Sequence, residues 1–387
     1  MRIVIALCAF KGSLSASEAC QAARSGFAQR WPRAEILAQP ISDGGDGLLE
    51  SLLSRFPSAQ RVKLTVTGPL GVPVETQYVL VKINEKKTVF IETAKICGLT
   101  LVPHTRRNPM MTTTYGVGET IRHAMGRRAK TIYVGLGGSA TQDGGAGLAQ
   151  ALGAKLLDKH GKPIGLGCAW LGALDKIIAA KLDPRLKKIP VIALSDVTNV
   201  LLGPQGTAHV YAPQKGATPE QVGQIEANLS HFAKIIERDL DLKIVDIPGA
   251  GAAGGMGAGL AAFCRSKILP GTQALADTLS LKKLFASADM IVVGEGRLDE
   301  QTLLYGKAPS VLAAMGKAAG KKVCGIFGQI RQAQGDPSAR LGLDAWQSLE
   351  SLSGSPEAAI KNPAHWIAKA AEALANSMSP AAIGSRS

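Results

Sequence analysis

The chain opens on an uninterrupted apolar run, Ile3 to Phe10, eight residues that end at Lys11-Gly12-Ser13. β-Branched residues dominate its start, so Arg2–Ala6 is expected to be a strand buried on both faces. The run is too short for a membrane span and lacks a small-residue cleavage site, so it is not taken as a leader. A helix is predicted from Ser17 to Trp31, capped by Ser15 or Ser17 and stopped by Pro32. Glu35–Gln39 is expected to be a second strand, and Ser42-Asp43-Gly44-Gly45-Asp46-Gly47 leads into a helix near Leu48–Phe56. Alternating patterns at Arg61–Thr67, Val74–Val81 and Thr88–Glu92 then predict a section rich in hairpins. Beyond it the pattern predicts helix Thr112–Met125, strand Thr131–Gly135, helix Gly145–Leu157, strand Val191–Leu194 and helix Pro219–Arg238. The small-residue run Gly249–Gly259 opens a helix ending near Cys264. Strands Met290–Val293, Val323–Gly328 and Ala345–Leu352 follow, with helices Ala308–Ala319 and Ala358–Ser377 and a frayed tail Ser379–Ser387.

Two opening and three closing strands make a five-stranded, flavodoxin-like 2-1-3-4-5 sheet. The expected fold is α/β: a doubly wound, Rossmann-like parallel sheet built from residues 1–60 and 286–387. A large second α/β domain, residues 61–285, interrupts it. In such sheets ligands bind at the carboxyl ends of the strands, beside the switch point. Here that rule makes Lys11-Gly12-Ser13 face Glu295-Gly296-Arg297.

Composition narrows the class. Of 387 residues, 46% are apolar and 4% aromatic, with 44 glycines, which suits an α/β scaffold and excludes collagen, coiled coil and disordered chains. The six cysteines show no CxxC and sit among apolar neighbours, so they are expected to be reduced core thiols of a cytoplasmic protein. No histidine pattern suggests zinc. The net charge of +14 is spread in short pieces such as Arg106-Arg107 and Lys321-Lys322. Its first reading is solvated helix ends and loops, its second a field that draws in anionic substrates, and it forms no contiguous stripe for nucleic acid. No membrane partner is expected, and a homo-oligomer stays open.

Several strands end in polar turns. Gly135-Leu136-Gly137-Gly138-Ser139-Ala140-Thr141-Gln142-Asp143-Gly144-Gly145 has more glycines than a tight turn needs, so its backbone N–H groups are expected to cradle an anion or phosphate. Ser195-Asp196-Val197-Thr198-Asn199, Pro213-Gln214-Lys215-Gly216 and Gly294-Glu295-Gly296-Arg297-Leu298-Asp299 add acids, amides and cations. Each alone could be a helix cap. Together they hold the carboxylates and cations that phosphoryl transfer requires. No Walker A sequence is present. A GxGxxG match at Gly249–Gly254 lacks the preceding strand and distant acid of a dinucleotide site, leaving close helix packing as its alternative.

Lys11–Ala16, Ser42–Gly47, Asn108-Pro109 with Thr112–Glu119, and Gly137–Gly147 resemble the blocks of the glycerate kinase type 1 family. So do Ser195–Asn199, Gly206 with Pro213–Ala217, Pro248–Gly255, and Gly294–Asp299 with Gln301-Thr302 and Gly306-Lys307, in the family's order over residues 1–330. The resemblance implies an ATP-dependent kinase that uses Mg²⁺ and converts D-glycerate to 2-phosphoglycerate on a two-domain α/β scaffold with a split Rossmann-like domain. The chain departs from the pattern at Leu7-Cys8-Ala9, where the family has Pro-Asp-Ser, at Gln142 for Asn, at Val200 for Pro, and by one extra residue in Leu303-Leu304-Tyr305. Because Cys8 cannot replace a carboxylate toward Mg²⁺, an altered member that binds ATP or a hydroxy acid without turnover is the alternative.

On the kinase reading, substrates are expected to meet between the two domains. Lys11 and Arg297 would neutralise carboxylate or phosphoryl charge, and Asp196, followed by Asp299, would orient or deprotonate the acceptor hydroxyl. Gly137, Gly138, Ser139, Thr141 and Lys215 would bind the nucleotide phosphates. Ser13, Asn199 and Gln214 would contact glycerate, and Asp43, Asp46 and Glu295 would hold Mg²⁺ or its waters. A nicotinamide dehydrogenase or a nucleic-acid binder would be the rivals from other classes.

Overall fold

The computed structural model describes residues 1–298, 307–330 and 336–378. Asp299, the segment 301–306 and the tail 379–387 therefore lie outside the described residues. The strands in chain order are β1 (Arg2–Leu7), β2 (Glu35–Ala38), β3 (Gln60–Thr67), β4 (Pro73–Ile83) and β5 (Lys86–Glu92). They continue with β6 (Thr131–Gly135), β7 (Lys155–Leu157), β8 (Lys176–Ile178), β9 (Val191–Leu194) and β10 (Lys267–Leu269). β11 (Met290–Leu298), β12 (Lys322–Ile330) and β13 (Ala345–Ser348) complete the set. The chain forms two compact units, one of residues 1–43, 50–57 and 272–387, the other of residues 44–49 and 58–271.

In the first unit the sheet order is β13-β12-β11-β1-β2 and every pairing is parallel. This is the 2-1-3-4-5 order expected from the sequence, with β1 between β2 and β11. Ile3, Val4, Ile5, Ala6 and Leu7 are all fully buried, which is why the strand reads as continuous apolar sequence. Ile3, Ile5, Leu7, Met290, Val292 and Ile326 share a core with Phe27, Ile367 and Leu374 of the helices Ala16–Arg30 and Pro363–Ser377. Helix Ala16–Arg30 starts with a reciprocal cap: Glu18 N donates to Ser15 Oγ at 3.2 Å, and Ser15 N donates to Glu18 Oε2 at 2.9 Å.

The second unit carries a six-stranded sheet of order β10-β9-β6-β5-β4-β3 and a separate β7-β8 ribbon. β3, β4 and β5 form the antiparallel meander, while β5, β6, β9 and β10 run parallel. Its core gathers Tyr78, Ile91, Val117, Val134 and Leu260 under the sheet, and a second cluster centres on Leu229, Phe232 and Phe263.

Several sequence expectations change. The helix expected over Gly145–Leu157 is only Ala146–Ala151, because Gly153 turns the backbone to φ 105° and β7 follows. Helix Thr112–Met125 begins instead at Tyr115, since the three threonines before it spend their hydroxyls on neighbouring polar groups. The strand Ala345–Leu352 ends at Ser348, whose hydroxyl caps helix Leu349–Ser353. Helix Ala358–Ser377 is two helices, Pro356–Lys361 and Pro363–Ser377, divided where Pro363 lacks a donor.

The GxGxxG segment is a packing device. Ala253, Gly254 and Gly255 take left-handed conformations inside Ala252–Cys264, and a Cβ at Gly254 would land on the Thr141 carbonyl. All six cysteines are free thiols, five of them buried and Cys8 partly exposed. No helix among the described residues is long and apolar enough to cross a membrane.

Candidate active site

Parallel pairing puts polar residues in rows at the carboxyl edges of both sheets. In the first unit Leu7 pairs with Gly294, so Cys8 and Glu295 leave adjacent strands together. The chain then turns tightly at Phe10–Leu14, where each residue's N–H donates to the other's carbonyl, at 2.9 and 3.0 Å. Ser13 Oγ donates to the Phe10 carbonyl at 2.9 Å, so this hydroxyl braces the turn that presents Lys11. Gly296 packs directly against that turn, leaving only 3.0 Å between the place of a Cβ and Phe10 Cα. The expected meeting of Lys11-Gly12-Ser13 with Glu295-Gly296 is therefore observed, and Arg297 follows, exposed on β11. Lys11 Nζ lies 3.8 Å from Asp43 Oδ2.

Cys8 stands among these charges. Burial first, then the Glu295 and Asp43 carboxylates, push its thiol well above the ordinary cysteine range. It is thus a neutral group within electrostatic reach of two acids.

In the second unit Glu92 pairs with Gly135 and Gly135 pairs with Leu194, so Glu92, the glycine-rich loop and Asp196 emerge side by side. Asp196 stands two residues beyond Leu194, as Gly137 stands two beyond Gly135. The loop is held on both flanks: Leu99 N donates to the Gly138 carbonyl and Ala140 N to the Cys97 carbonyl, each at 2.8 Å. Gly138 has φ 64°, and a Cβ there would lie 3.1 Å from Asp46 Oδ1, which places Asp46 against the loop.

Two buried charges fix the loop from below. Lys215 Nζ donates to Ser139 Oγ at 3.1 Å and to the Thr141 carbonyl at 2.8 Å, with 4% of the residue exposed. Burial pulls its ammonium down to about 7, opposed by charge on Cys97 and Asp143. Asp143 is fully buried and accepts from Thr114 N (2.8 Å), Thr114 Oγ1 (2.9 Å), Gly145 N (3.2 Å), Gly147 N (3.3 Å) and Thr113 Oγ1 (3.4 Å). Burial raises its carboxyl, against the pull of these donors. With five donors on it, Asp143 anchors the loop and the helix Tyr115–Gly126 that follows Thr114.

Other residues picked from the sequence sit apart from this centre or are engaged locally. Asn199 donates to the Gln205 carbonyl at 2.8 Å and accepts from the Tyr211 hydroxyl at 2.7 Å, which organises its own loop. Gln214 is exposed beside the buried Lys215.

Glu92 escapes detection in the sequence because a single acid ending a strand looks like a solvated terminus. In the structure it is 1% exposed, accepts from Leu49 N at 3.2 Å and lies 3.9 Å from Lys95 Nζ. Burial pushes its carboxyl up to about 7, partly offset by Lys95 and Leu49 N–H. The folded state therefore holds this proton more tightly than the unfolded chain does. The resulting stabilisation is complete below about pH 4.5 and is lost as pH rises through about 7. Wild-type protein is expected to lose about 3 kcal/mol of unfolding free energy across that window. Glu92→Gln should flatten this part of the profile in urea titrations at successive pH values. Equal slopes in the two proteins would refute the assignment.

A doubly wound parallel sheet in one unit, and in the other a glycine-rich loop at the end of a parallel strand, place the protein in the α/β class. Comparison with known proteins agrees. The sequence model of the glycerate kinase family matches residues 3–379. Glycerate 2-kinase of Escherichia coli K12 is 40% identical over 386 residues, covering 100% of this chain and 99% of its own. Glycerate kinase of Halalkalibacterium halodurans is 42% identical over 347 residues, 90% of each chain. A crystal structure from Salmonella typhimurium LT2, provisionally named glycerate kinase 2, matches with a TM-score of 0.81 at 40% identity, over 97% of this chain and 98% of that one. The chain belongs to the glycerate kinase family, and it is a kinase.

Proposed function

We propose that this kinase transfers the γ-phosphoryl group of Mg-ATP to D-glycerate in the cytoplasm, giving 2-phospho-D-glycerate and ADP. The observation that carries this reading is the glycine-rich loop, braced by Lys215 and Asp143 and set in register beside the Asp196 carboxylate. Its glycines bring backbone N–H groups up to phosphate oxygens, where they cancel charge without reorganising. Asp196 orients the glycerate hydroxyl and takes its proton as the oxygen attacks phosphorus and the bond to the ADP oxygen breaks. Lys11 and Arg297 neutralise the glycerate carboxylate or the moving phosphoryl group, and Ser13 braces the turn that carries Lys11.

Mg²⁺ typically takes one or two protein carboxylates and completes its shell with phosphate oxygens and water. Asp43 and Glu295, both within electrostatic reach of Cys8, offer such a pair, and Asp46 adds a carboxylate at the loop. Among the described residues no group of three or more His, Cys, Asp and Glu side chains could hold a metal ion by itself. When bound, the ion supplies positive charge to the phosphate oxygens.

The test is ³¹P NMR of purified protein with Mg-ATP and D-glycerate. A new phosphomonoester resonance accompanied by ADP is expected, split by one proton as in 2-phosphoglycerate. Splitting by two protons would reassign the acceptor to the 3-hydroxyl. No product with ATP binding intact would overturn the kinase reading and favour the altered, non-catalytic member, with Cys8 the first suspect.

A further inference from the structure

The second unit holds an open cavity of about 700 Å³, of whose lining the mechanism above uses only Asp46. Its floor follows from strand register. Lys63 pairs with Gln77 and Thr65 with Glu75 across β3 and β4, so these four side chains share one face. Val62, Val66 and Tyr78 turn to the other face and pack into the core. One wall is Ala94-Lys95 with Thr100-Leu101, and Asp46 and Glu92 stand at the end nearest β5.

The cavity and the glycine-rich loop are parts of one hydrogen-bonded piece. Gly98 and Ser139 form an antiparallel bridge, and the Leu99 N–H and Cys97 carbonyl tie the same segment to Gly138 and Ala140. The chain runs on from Leu99 straight into the wall at Thr100-Leu101. Asp46 touches both, lining the cavity while lying against Gly138. A phosphate chain on the loop would thus leave the rest of its molecule at the cavity mouth.

We infer that this cavity receives the nucleoside half of the phosphoryl donor, its ribose and base, while the phosphates lie on the loop. Size favours this occupant: cavities of roughly 300–1,000 Å³ take ligands of nucleoside size and larger, and a three-carbon acid would leave most of the space to water. The chemistry matches as well. Gln77 offers a donor and an acceptor to the edge of a base, Glu75 accepts from ribose hydroxyls, and Leu101 gives an apolar surface. Lys63 and Lys95 add positive charge to the lining, which suits an anionic ligand. The inference rests on the kinase reading, but its failure can be told apart from the failure of that reading.

The experiment fills the cavity from its floor with Gln77→Trp and, separately, Thr65→Trp. Both positions are on strands, where an aromatic residue is tolerated, and thermal melting checks that each variant folds. Steady-state assays with glycerate saturating, together with titration of a fluorescent ADP analogue in the absence of glycerate, read the result. Each variant is expected to raise the KM for ATP and the Kd of the analogue at least about tenfold, with the KM for glycerate within about twofold of wild type. An unchanged KM for ATP in both folded variants, or a loss confined to the KM for glycerate, would overturn the assignment. Absence of product from the wild-type protein would instead sink the kinase reading, while the analogue titration would still test the cavity.

Discussion

Asp196→Asn is expected to lower kcat by about 10²- to 10⁴-fold, the range usual for loss of a positioned general base. Asp196 stands two residues beyond β9, and the Gly135–Leu194 register sets it level with Gly137 of the glycine-rich loop. Its residue is half-buried, so the carboxylate can be exchanged for an amide of the same size without opening a cavity. The amide still orients a hydroxyl but cannot take its proton, so the loss should fall on kcat while the KM for ATP changes little. Single-turnover phosphorylation of glycerate, with a melting curve as the control for folding, measures this. Turnover within about threefold of wild type would remove Asp196 from the role.

The second large effect is structural. Asp143→Ala should destabilise the second unit by about 3–5 kcal/mol, because it orphans buried donors on Thr114, Gly145 and Gly147 at once. It also removes a negative charge from the surroundings of Lys215. Urea unfolding gives the total, and hydrogen exchange gives its location: protection should collapse in residues 112–118 and 137–147. A loss under about 1 kcal/mol would mean that water replaces the carboxylate and that the loop does not depend on it.

These two aspartates show how far the sequence could be read. The positions of Asp196 and the glycine-rich loop at strand ends were legible because the apolar runs before them read as buried strands, and the five-stranded order followed from runs such as Ile3–Leu7 that must be buried on both sides. The groups that anchor Asp143 were not legible. Its donors Thr113 and Thr114 lie about thirty residues upstream, and only folding brings them to it. Glu92 was missed for the same reason, since its chemistry comes from burial beside Leu49 N–H and not from its neighbours in the chain. The false helix over Gly145–Leu157 has a local cause: apolar spacing continued past Ala151, but Gly153 takes a backbone angle that no helix holds. The GxGxxG segment, read from the sequence as close helix packing in preference to a dinucleotide site, has glycines that let Ala252–Cys264 lie against Thr141.

The order of the first sheet bears on how the chain is made. β1 pairs with β2 on one side and with β11 on the other, yet β11 is translated roughly 280 residues later. At about 5–20 residues per second, the ribosome needs on the order of 15–60 s to deliver that partner. Throughout that interval the emerging protein carries an apolar strand with one edge unpaired, while residues 58–271 have time to finish folding. Ribosomes stalled before residue 290 should display β1 as an exposed, protease-sensitive segment.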